Sequence, residues 1–364
     1  MPVETLSVRA LNRATLARQL LLARAPISVA EGVDRLAGLQ AQEAKPPFIG
    51  LWSRLEGFER DQLAAAIRAR EIVRATWLRG TLHLVGAADY AAFRETVRPV
   101  LEQGLRLLGD RAAGLDVDAV LPLARTLLQA GPRTFGELRG ELQQAFPEVN
   151  ERALGFTVRM LMPLVMEPTD DAWAFRANAR FTPADEWIGR PLAASDARGE
   201  LVLRYLAAFG PATAADVQAW SGLKGVAATI AELRPALVEL ADERGRTLHD
   251  LPDAPRPGDD VPAPARLLPE FDNLVLAHAD RTRIVPDAYR GEIVTKNLRV
   301  RATFLWDGFV AGTWTSSVTR KAATLELAPF TPLPARAIKA LSVEAEALLR
   351  FLEPDAVSFA VRAS

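Results

Sequence analysis

The chain has 364 residues, a net charge of −1 and 49% hydrophobic residues, so it has enough apolar material for two to four domains. With no cysteine and only three histidines, disulfides, thiolate chemistry and cysteine-ligated zinc are excluded, and a histidine-rich metal site is disfavoured. We find no apolar run of about 18 residues and no secretory leader, so we expect a cytoplasmic protein without a membrane span.

Charge is segregated along the chain, although its sum is close to zero. Residues 68–83 hold four arginines against one glutamate, and residues 276–321 hold eight basic residues against four acidic ones. The compensating acids concentrate elsewhere, as in residues 239–260, where seven acids face three arginines. A near-neutral sum can therefore hide basic surfaces that suit a polyanionic partner.

The first part of the chain predicts two helices and a hairpin. An amphipathic helix is predicted at residues 16–25, a turn at 26–29, and then a second helix that carries Gln40 and Gln42. After an insertion, the alternation of residues 72–85 predicts a β-hairpin.

A Gly-Pro-x-Thr pattern occurs twice further along the chain, at residues 131–134 and 210–213. In both copies an acid follows the threonine by three residues, which is the capping box that begins a helix. An apolar helix precedes each copy, and a longer helix and a polar hairpin follow it. Helix, short helix, longer helix and hairpin is the order of a winged helix-turn-helix. The longer helices are predicted at 151–162 and 226–239, and the hairpins at 165–175 and 237–246.

With the more distant N-terminal copy, the pattern predicts three tandem winged-helix units. The alternative is that the two Gly-Pro-x-Thr segments match by chance and belong to two ordinary helical hairpins. A linker rich in proline and acid at residues 251–264 ends the third unit.

The last hundred residues predict a β-rich module. Residues 303–314 form a hairpin around an Asp-Gly turn, and Trp306 and Trp314 beside it are assigned to the core. A strand at 324–327, a helix at 335–351 and a last strand at 356–361 follow. The fold class is thus α+β, mostly helical: three tandem winged-helix units (residues 1–115, 116–195 and 196–258) and a β-rich C-terminal module (residues 259–364).

Gln40 and Gln42 stand where an apolar stretch would favour leucine. Burying an unpartnered amide costs about 1–3 kcal/mol, so the pair indicates either structural pairing or a polar pocket that holds a water and a substrate. Residues i and i+2 do not share a helix face, so both reach one pocket only if the helix ends or bends. Pro46 and Pro47 favour such an end. The alternative is a solvated helix face.

Three segments together resemble the AlkZ/YcaQ family of winged-helix DNA glycosylases, over nearly the whole chain. They are Gly-Leu-Gln-Ala-Gln at residues 38–42, Trp-Leu-Arg-Gly-Thr-Leu-His-Leu-Val at 77–85 and Leu-Leu-Pro-Glu-Phe-Asp-Asn at 267–273. The glutamine pair is the specific part and belongs to the Gln-x-Gln branch. That branch is associated with self-resistance in producers of DNA-alkylating natural products, and it also has members of unknown substrate.

The resemblance implies excision of N7-alkylated purines, including the unhooking of interstrand crosslinks, with Gln40 and Gln42 as the catalytic residues. We then expect a nucleoid-associated monomer that binds duplex DNA carrying alkylated or crosslinked purines, with neither metal nor cofactor. The chemistry agrees: an N7-alkylguanine is already cationic and leaves as a neutral base, so no general acid is needed. A glutamine carbonyl can accept a hydrogen bond from a water, and its NH₂ can donate one. Glu43 ranks as a less favoured base, since it would lie about 100° round a helix from Gln42.

Seven further residues are predicted to contact DNA: Arg79, Thr81 and His83 on the first hairpin, and Arg281, Arg283, Lys296 and Arg299, which with Arg301 alternate in the basic C-terminal segment. The alternatives are a hairpin histidine bonded to backbone and ordinary solvated strand faces. Two rival functions stay open: a winged-helix transcription regulator, which predicts sequence-specific binding, and a protein-interaction scaffold, which predicts no salt-dependent DNA affinity.

Overall fold

The computed structural model describes residues 3–363 and shows a mixed α and β protein with several sheets. The α-helices in the described part are α1 (Val8–Arg18), α2 (Val29–Arg35), α3 (Pro46–Trp52), α4 (Arg60–Arg68), α5 (Ala87–Gly104), α6 (Val117–Gln129), α7 (Phe135–Ala145), α8 (Glu151–Leu161), α9 (Ala184–Ile188), α10 (Arg198–Phe209), α11 (Ala214–Ser221), α12 (Val226–Leu233) and α13 (Ala335–Leu352). The strands are β1 (Thr5–Leu6), β2 (Leu39–Gln40), β3 (Ile72–Thr76), β4 (Leu82–Gly86), β5 (Leu164–Met166), β6 (Phe181–Pro183), β7 (Val238–Asp242), β8 (Thr247–Asp250), β9 (Arg266–Leu268), β10 (Thr303–Trp306), β11 (Phe309–Thr319), β12 (Ala322–Pro329) and β13 (Ser358–Ala363).

The first two hairpins share one five-stranded sheet, in the order β2-β4-β3-β5-β6. The predicted hairpin at residues 72–85 is present as β3 and β4, and β3 also pairs with β5 through Ala75 and Val165. Strand β2, which begins with Leu39, adds to the free edge of β4. The glutamine pair therefore lies at an edge of this sheet.

Both predicted capping boxes are confirmed. The hydroxyl of Thr134 accepts from the backbone N–H of Glu137 at the start of α7, and Thr213 does the same for Asp216 at the start of α11. Three helices and two strands follow one another in each region, α6 to α8 with β5 and β6, then α10 to α12 with β7 and β8.

Three element predictions were wrong in their limits. The first helix does not cover residues 16–25: α1 begins after Ser7, whose hydroxyl caps the N–H of Ala10. Helix α12 ends at Leu233 rather than near residue 239, because Pro235 removes a backbone donor and a 3₁₀ turn follows. The hairpin after α8 is wider than predicted, since β5 pairs with β6 across a loop at residues 167–180.

The C-terminal sheet has the order β13-β12-β11-β10-β9, and α13 packs on it. Its Asp-Gly turn is confirmed, with Asp307 and Gly308 both at positive φ as a two-residue hairpin turn requires. Trp314 is confirmed as a core residue: it is buried, and its indole N–H donates to the carbonyl of Leu268 at 2.9 Å. Trp306 is half-buried and packs against the same core.

Buried ion pairs tie distant parts of the chain together. The guanidinium of Arg54, at the end of α3, binds the carboxylate of Asp272 at 2.8 Å, and Arg18 of α1 binds Asp250 of β8 at 2.7 Å. In addition, β1 pairs in parallel with β7, so the start of the chain joins the third hairpin. None of the helices within residues 3–363 combines the length and the apolar character needed to cross a bilayer.

Candidate functional site

Gln40 lies in strand β2 and Gln42 in the bend that follows it, so neither lies on a helix, which corrects the prediction. Helix α2 ends at Arg35, and the left-handed residues Ala37 and Gly38 reverse the chain into β2. A side chain at Gly38 would meet the ring of Trp77 at 3.0 Å, so only glycine fits this reversal. The helix therefore ends before either glutamine, so the spacing of residues on a helix face does not apply to the pair.

The side chain of Gln40 is 8% exposed, and its Oε1 has no hydrogen-bond partner among the described residues. Its neighbours in sequence, Leu39 and Ala41, are buried in the hydrophobic core. Across the ladder Gln40 stands opposite His83 of β4, whose Nε2 is also buried without a partner. Two hydrogen-bond acceptors without donors therefore occupy opposed positions on adjacent strands. A water molecule or a substrate hydroxyl can donate to such acceptors.

The backbone of the glutamine segment is held by Arg74 of β3. This buried guanidinium donates from Nε to the carbonyl of Ala41 at 3.0 Å and from Nη2 to the carbonyl of Gln42 at 3.1 Å. Burial lowers the pKa of Arg74 to about 10, so it stays charged at neutral pH. The sequence reasoning missed this residue, because only the folded sheet brings residue 74 beside residues 41 and 42.

The segment at residues 267–273 lies directly against the glutamine segment. The amide of Asn273 donates to the carbonyl of Gly38 at 2.8 Å, and Asp272 is fixed by the buried Arg54. Gln40 lines a narrow cleft together with the prolines at the start of α3 and residues 269–273. Two of the three segments that carried the family resemblance thus form one wall of a single site.

A larger cavity of about 420 Å³ opens beside this cleft. Its polar rim is formed by Glu43, Glu270 and Arg299, and its floor includes Ile49 and Trp314. Arg299 binds Glu270 at 2.6 Å and lies 3.7 Å from Glu43, and the bond to Glu270 raises the pKa of Arg299. Glu43 therefore faces the cavity, contrary to its predicted position round a helix from Gln42.

The tip of the first hairpin is packed against the protein and does not project as a free wing. Arg79 lies in the tight turn between β3 and β4 with φ of 55°, and its guanidinium donates to the carbonyl of Trp220 in α11. Thr81 is half-buried and donates to the carbonyl of Leu78. Burial and the nearby Arg281 lower the pKa of Arg79 to about 10.

His83, which was predicted to contact DNA, is completely buried. Its Nδ1 lies 3.1 Å from the carbonyl oxygen of Thr81 and donates to it, which leaves Nε2 as an acceptor. Burial, reinforced by the charge of Arg79, lowers the pKa of His83 to about 3. The imidazole is therefore neutral at physiological pH and stands opposite Gln40.

The four predicted contacts of the C-terminal segment lie in different surroundings. Arg283 is buried and donates to the carbonyl of Pro211, so the structure does not offer it to DNA. Arg281 is half-buried, its Nε is without a partner, and burial together with Arg290 lowers its pKa. Lys296 and Arg299 are exposed on one loop beside the cavity.

Comparison with known proteins assigns the chain to a family. Residues 33–351 match the family described as AlkZ-like DNA glycosylase. Among solved structures, the DNA glycosylase AlkZ of Streptomyces sahachiroi has a TM-score of 0.82 and 20% identity, over 99% of this chain and 100% of that one. At that identity the likeness shows a shared fold. The sequence has no significant match among curated proteins. Because the family match spans most of the chain and includes the glutamine segment, the chain belongs to the AlkZ-like DNA glycosylase family.

Proposed function

We propose that this protein hydrolyses the N-glycosidic bond of N7-alkylated purines in duplex DNA, with Gln40 and Gln42 as the catalytic residues. The observation that carries the proposal is the buried, unpartnered carbonyl oxygen of Gln40 in the cleft beside residues 269–273. Bulky monoadducts and interstrand crosslinks are the proposed substrates: such lesions cannot be flipped fully into a tight pocket, and the Gln40 cleft is narrow and lies beside the larger cavity. The biological role is base excision repair or self-resistance to an alkylating natural product.

In the proposed reaction the bond between C1′ of the sugar and N9 of the base breaks first. Its electron pair neutralises the positive charge of the alkylated base, which leaves without being protonated. The carbonyl of Gln40 accepts a hydrogen bond from a water, and the amide of Gln42 orients the same water or the sugar. The water oxygen then bonds to C1′, and its proton passes to solvent. His83, neutral and opposite Gln40, adds a second acceptor for the water.

The DNA surface in this proposal consists of winged-helix units and the β-rich module. The four segments proposed from the sequence, 1–115, 116–195, 196–258 and 259–364, remain our division of the chain. Arg281 lies close enough to Arg79 to contribute to its lowered pKa, and the two remain predicted contacts with the DNA backbone. Lys296 and Arg299, the exposed members of the predicted set, supply the positive charge that faces the duplex backbone.

The test is excision from a duplex that carries one N7-methylguanine, beside an undamaged duplex and an enzyme-free control. We expect mild alkali to break the alkylated strand at the lesion faster than spontaneous depurination allows. Gln40→Ala and Gln42→Ala should each slow excision roughly 100-fold while DNA binding is kept, since a misplaced reacting group costs about that much. Normal turnover in both variants would contradict the proposal.

The matched control is Gln129→Ala, which removes an amide from the exposed surface of α6, where it donates to Glu186. This variant should excise as the wild type does. No excess breakage by the wild type on monoadduct and crosslink alike, with tight binding to undamaged DNA, would favour a transcription regulator. Binding that does not weaken with ionic strength would favour a scaffold without a DNA role.

Glu43 offers the more conventional mechanism, because it faces the cavity next to Gln42. In the amide mechanism Glu43→Gln keeps at least about a tenth of the wild-type rate, whereas loss of a general base costs roughly 100- to 10,000-fold. The enzyme is proposed to be monofunctional, with water as the nucleophile. Borohydride should therefore trap no covalent adduct between Lys45, the nearest amine along the chain, and the DNA.

A further inference from the structure

A short loop at residues 294–300, which we call the Leu298 loop, projects beside the candidate site. Its base is a β-bridge between Val294 and Val300, and the tip is closed by hydrogen bonds between Thr295 and Arg299. Val300 is buried, and its carbonyl oxygen accepts from the N–H of Phe271 in the wall of the Gln40 cleft. The loop is thus anchored on the same segment that lines the cleft.

The tip of the loop carries an apolar side chain in an unfavourable place. Leu298 is 80% exposed, and its φ of 58° lies in the left-handed region, where glycine or asparagine is usual. A leucine that stays exposed at such a position buries little apolar surface, so it contributes little to the stability of the fold. Lys296 and Arg299 stand on either side of it, so an apolar tip is framed by two cations.

Arg299 fixes the direction of the loop. Its guanidinium binds Glu270 at 2.6 Å, lies 3.7 Å from Glu43 and packs 6.0 Å from the ring of Phe271. Because Arg299 lies near Glu43, which follows Gln42 directly, the Leu298 loop lies at the rim of the cavity next to the glutamine segment. Many DNA-binding proteins insert an exposed apolar side chain such as leucine between base steps, which unstacks them and kinks the duplex.

Resting on the proposed function, we infer that Leu298 is a wedge that enters the base stack next to the lesion. By opening one base step it lets the glutamine pair reach C1′ without full extrusion of a bulky base. Lys296 contacts the backbone phosphate beside the opened step. Leu298 is therefore a positioning residue, which acts by changing the geometry of the DNA.

The experiment uses the whole protein and two variants of one residue. Leu298→Asn removes the apolar wedge and suits the left-handed backbone better than leucine, so the loop is preserved. Leu298→Met keeps an apolar chain of similar length. Val343→Ala is the control, because it truncates another exposed apolar residue, on α13.

Base unstacking is read from 2-aminopurine placed beside a 2′-fluoro N7-methylguanine, a lesion whose glycosidic bond resists hydrolysis. We expect wild type, Leu298→Met and Val343→Ala to raise the fluorescence on binding, and Leu298→Asn to leave it low. On the cleavable lesion Leu298→Asn should slow excision by about tenfold or more, since opening a base step is a costly part of the barrier. Wild-type fluorescence and excision in Leu298→Asn would overturn the inference.

The two readouts separate the inference from the proposed function. If the wild type excises neither a monoadduct nor a crosslink, the proposed function fails, while the fluorescence of the uncleavable duplex still decides whether Leu298 opens the stack. If the wild type excises and Leu298→Asn gives an unchanged fluorescence rise with slow excision, Leu298 acts in some other way and the wedge is wrong.

Discussion

At the scale of single residues, the protein buries two neutral histidines that give its stability a pH dependence. The pKa of His83 is lowered to about 3 by burial and by the charge of Arg79. His278, also buried, has its pKa lowered to about 3 by burial and by Arg283. In the unfolded chain a histidine takes up a proton near pH 6.5. Between about pH 6.5 and 3 the unfolded state therefore binds more protons than the folded state.

The free energy of unfolding should accordingly fall as the pH falls below 6.5, with a slope that approaches about 1.4 kcal/mol per pH unit for each of the two histidines below about pH 5.5. Urea unfolding at pH 7, 6 and 5 measures this slope. In His83→Gln the change in the free energy of unfolding per pH unit should decrease by the contribution of one histidine, whatever the absolute stability of the variant. An unchanged slope would mean that His83 is protonated in the folded protein as well, and then it could not act as an acceptor opposite Gln40.

At the scale of elements, the glutamine segment depends on the neighbouring strand. Arg74 of β3 holds the carbonyls of Ala41 and Gln42 with two donors of one guanidinium. A lysine has a single ammonium group and cannot reproduce this fork. Arg74→Lys should therefore lower kcat roughly 10- to 100-fold by displacing the amides, with little change in KM.

The control for Arg74 is Arg133→Lys, the same substitution at an arginine that binds the carbonyl of Gly131 and the carboxylate of Glu141, in the turn before α7. It should leave both kinetic constants at wild-type values. Equal losses of kcat in the two variants, or a rise of KM alone in Arg74→Lys, would argue against a positioning role for Arg74.

Elements with local signals were predictable from the sequence, and those that depend on distant partners were not. The threonines of both capping boxes and the Asp-Gly turn act within three or four residues of chain, so the sequence contains the whole cause. Gln40 lies in a strand because β4, forty residues away, offers it an edge. The apolar residues before it predicted that the helix would continue, whereas the left-handed Ala37 and Gly38 end it.

The candidate site was predictable to the same extent. The glutamine pair stood out as amides in an apolar stretch, and the resemblance assigned it a role. Arg74 and Asn273 were out of reach of that reasoning, since their partners are backbone carbonyls that any sequence provides. Likewise Arg283 reads as a surface arginine in the sequence, and only tertiary packing buries it against Pro211.

At the scale of the whole molecule, buried ion pairs join the segments that the sequence divides. Asp272, from the C-terminal module, compensates the buried Arg54 of the first segment, and Asp250 of β8 compensates Arg18 of α1. Removing one partner of a buried pair leaves an uncompensated charge and costs about 3–5 kcal/mol. Asp272→Asn and Asp250→Asn should each lower the free energy of unfolding by this order.

Glu95→Gln is the control, because its pair with Arg98 lies on the surface and contributes less than about 1 kcal/mol. Circular dichroism and tryptophan fluorescence should follow one urea transition, which moves as a whole in Asp272→Asn. A transition that splits in this variant would show that the C-terminal module unfolds independently once the pair is broken. The site would then lie at the interface between separately folding units, since Asp272 is next to Asn273, whose amide binds the carbonyl of Gly38. A transition that moves without splitting would show that the wall of the Gln40 cleft unfolds only together with the rest of the molecule. Positioning by neutral amides requires a wall that is held in this way.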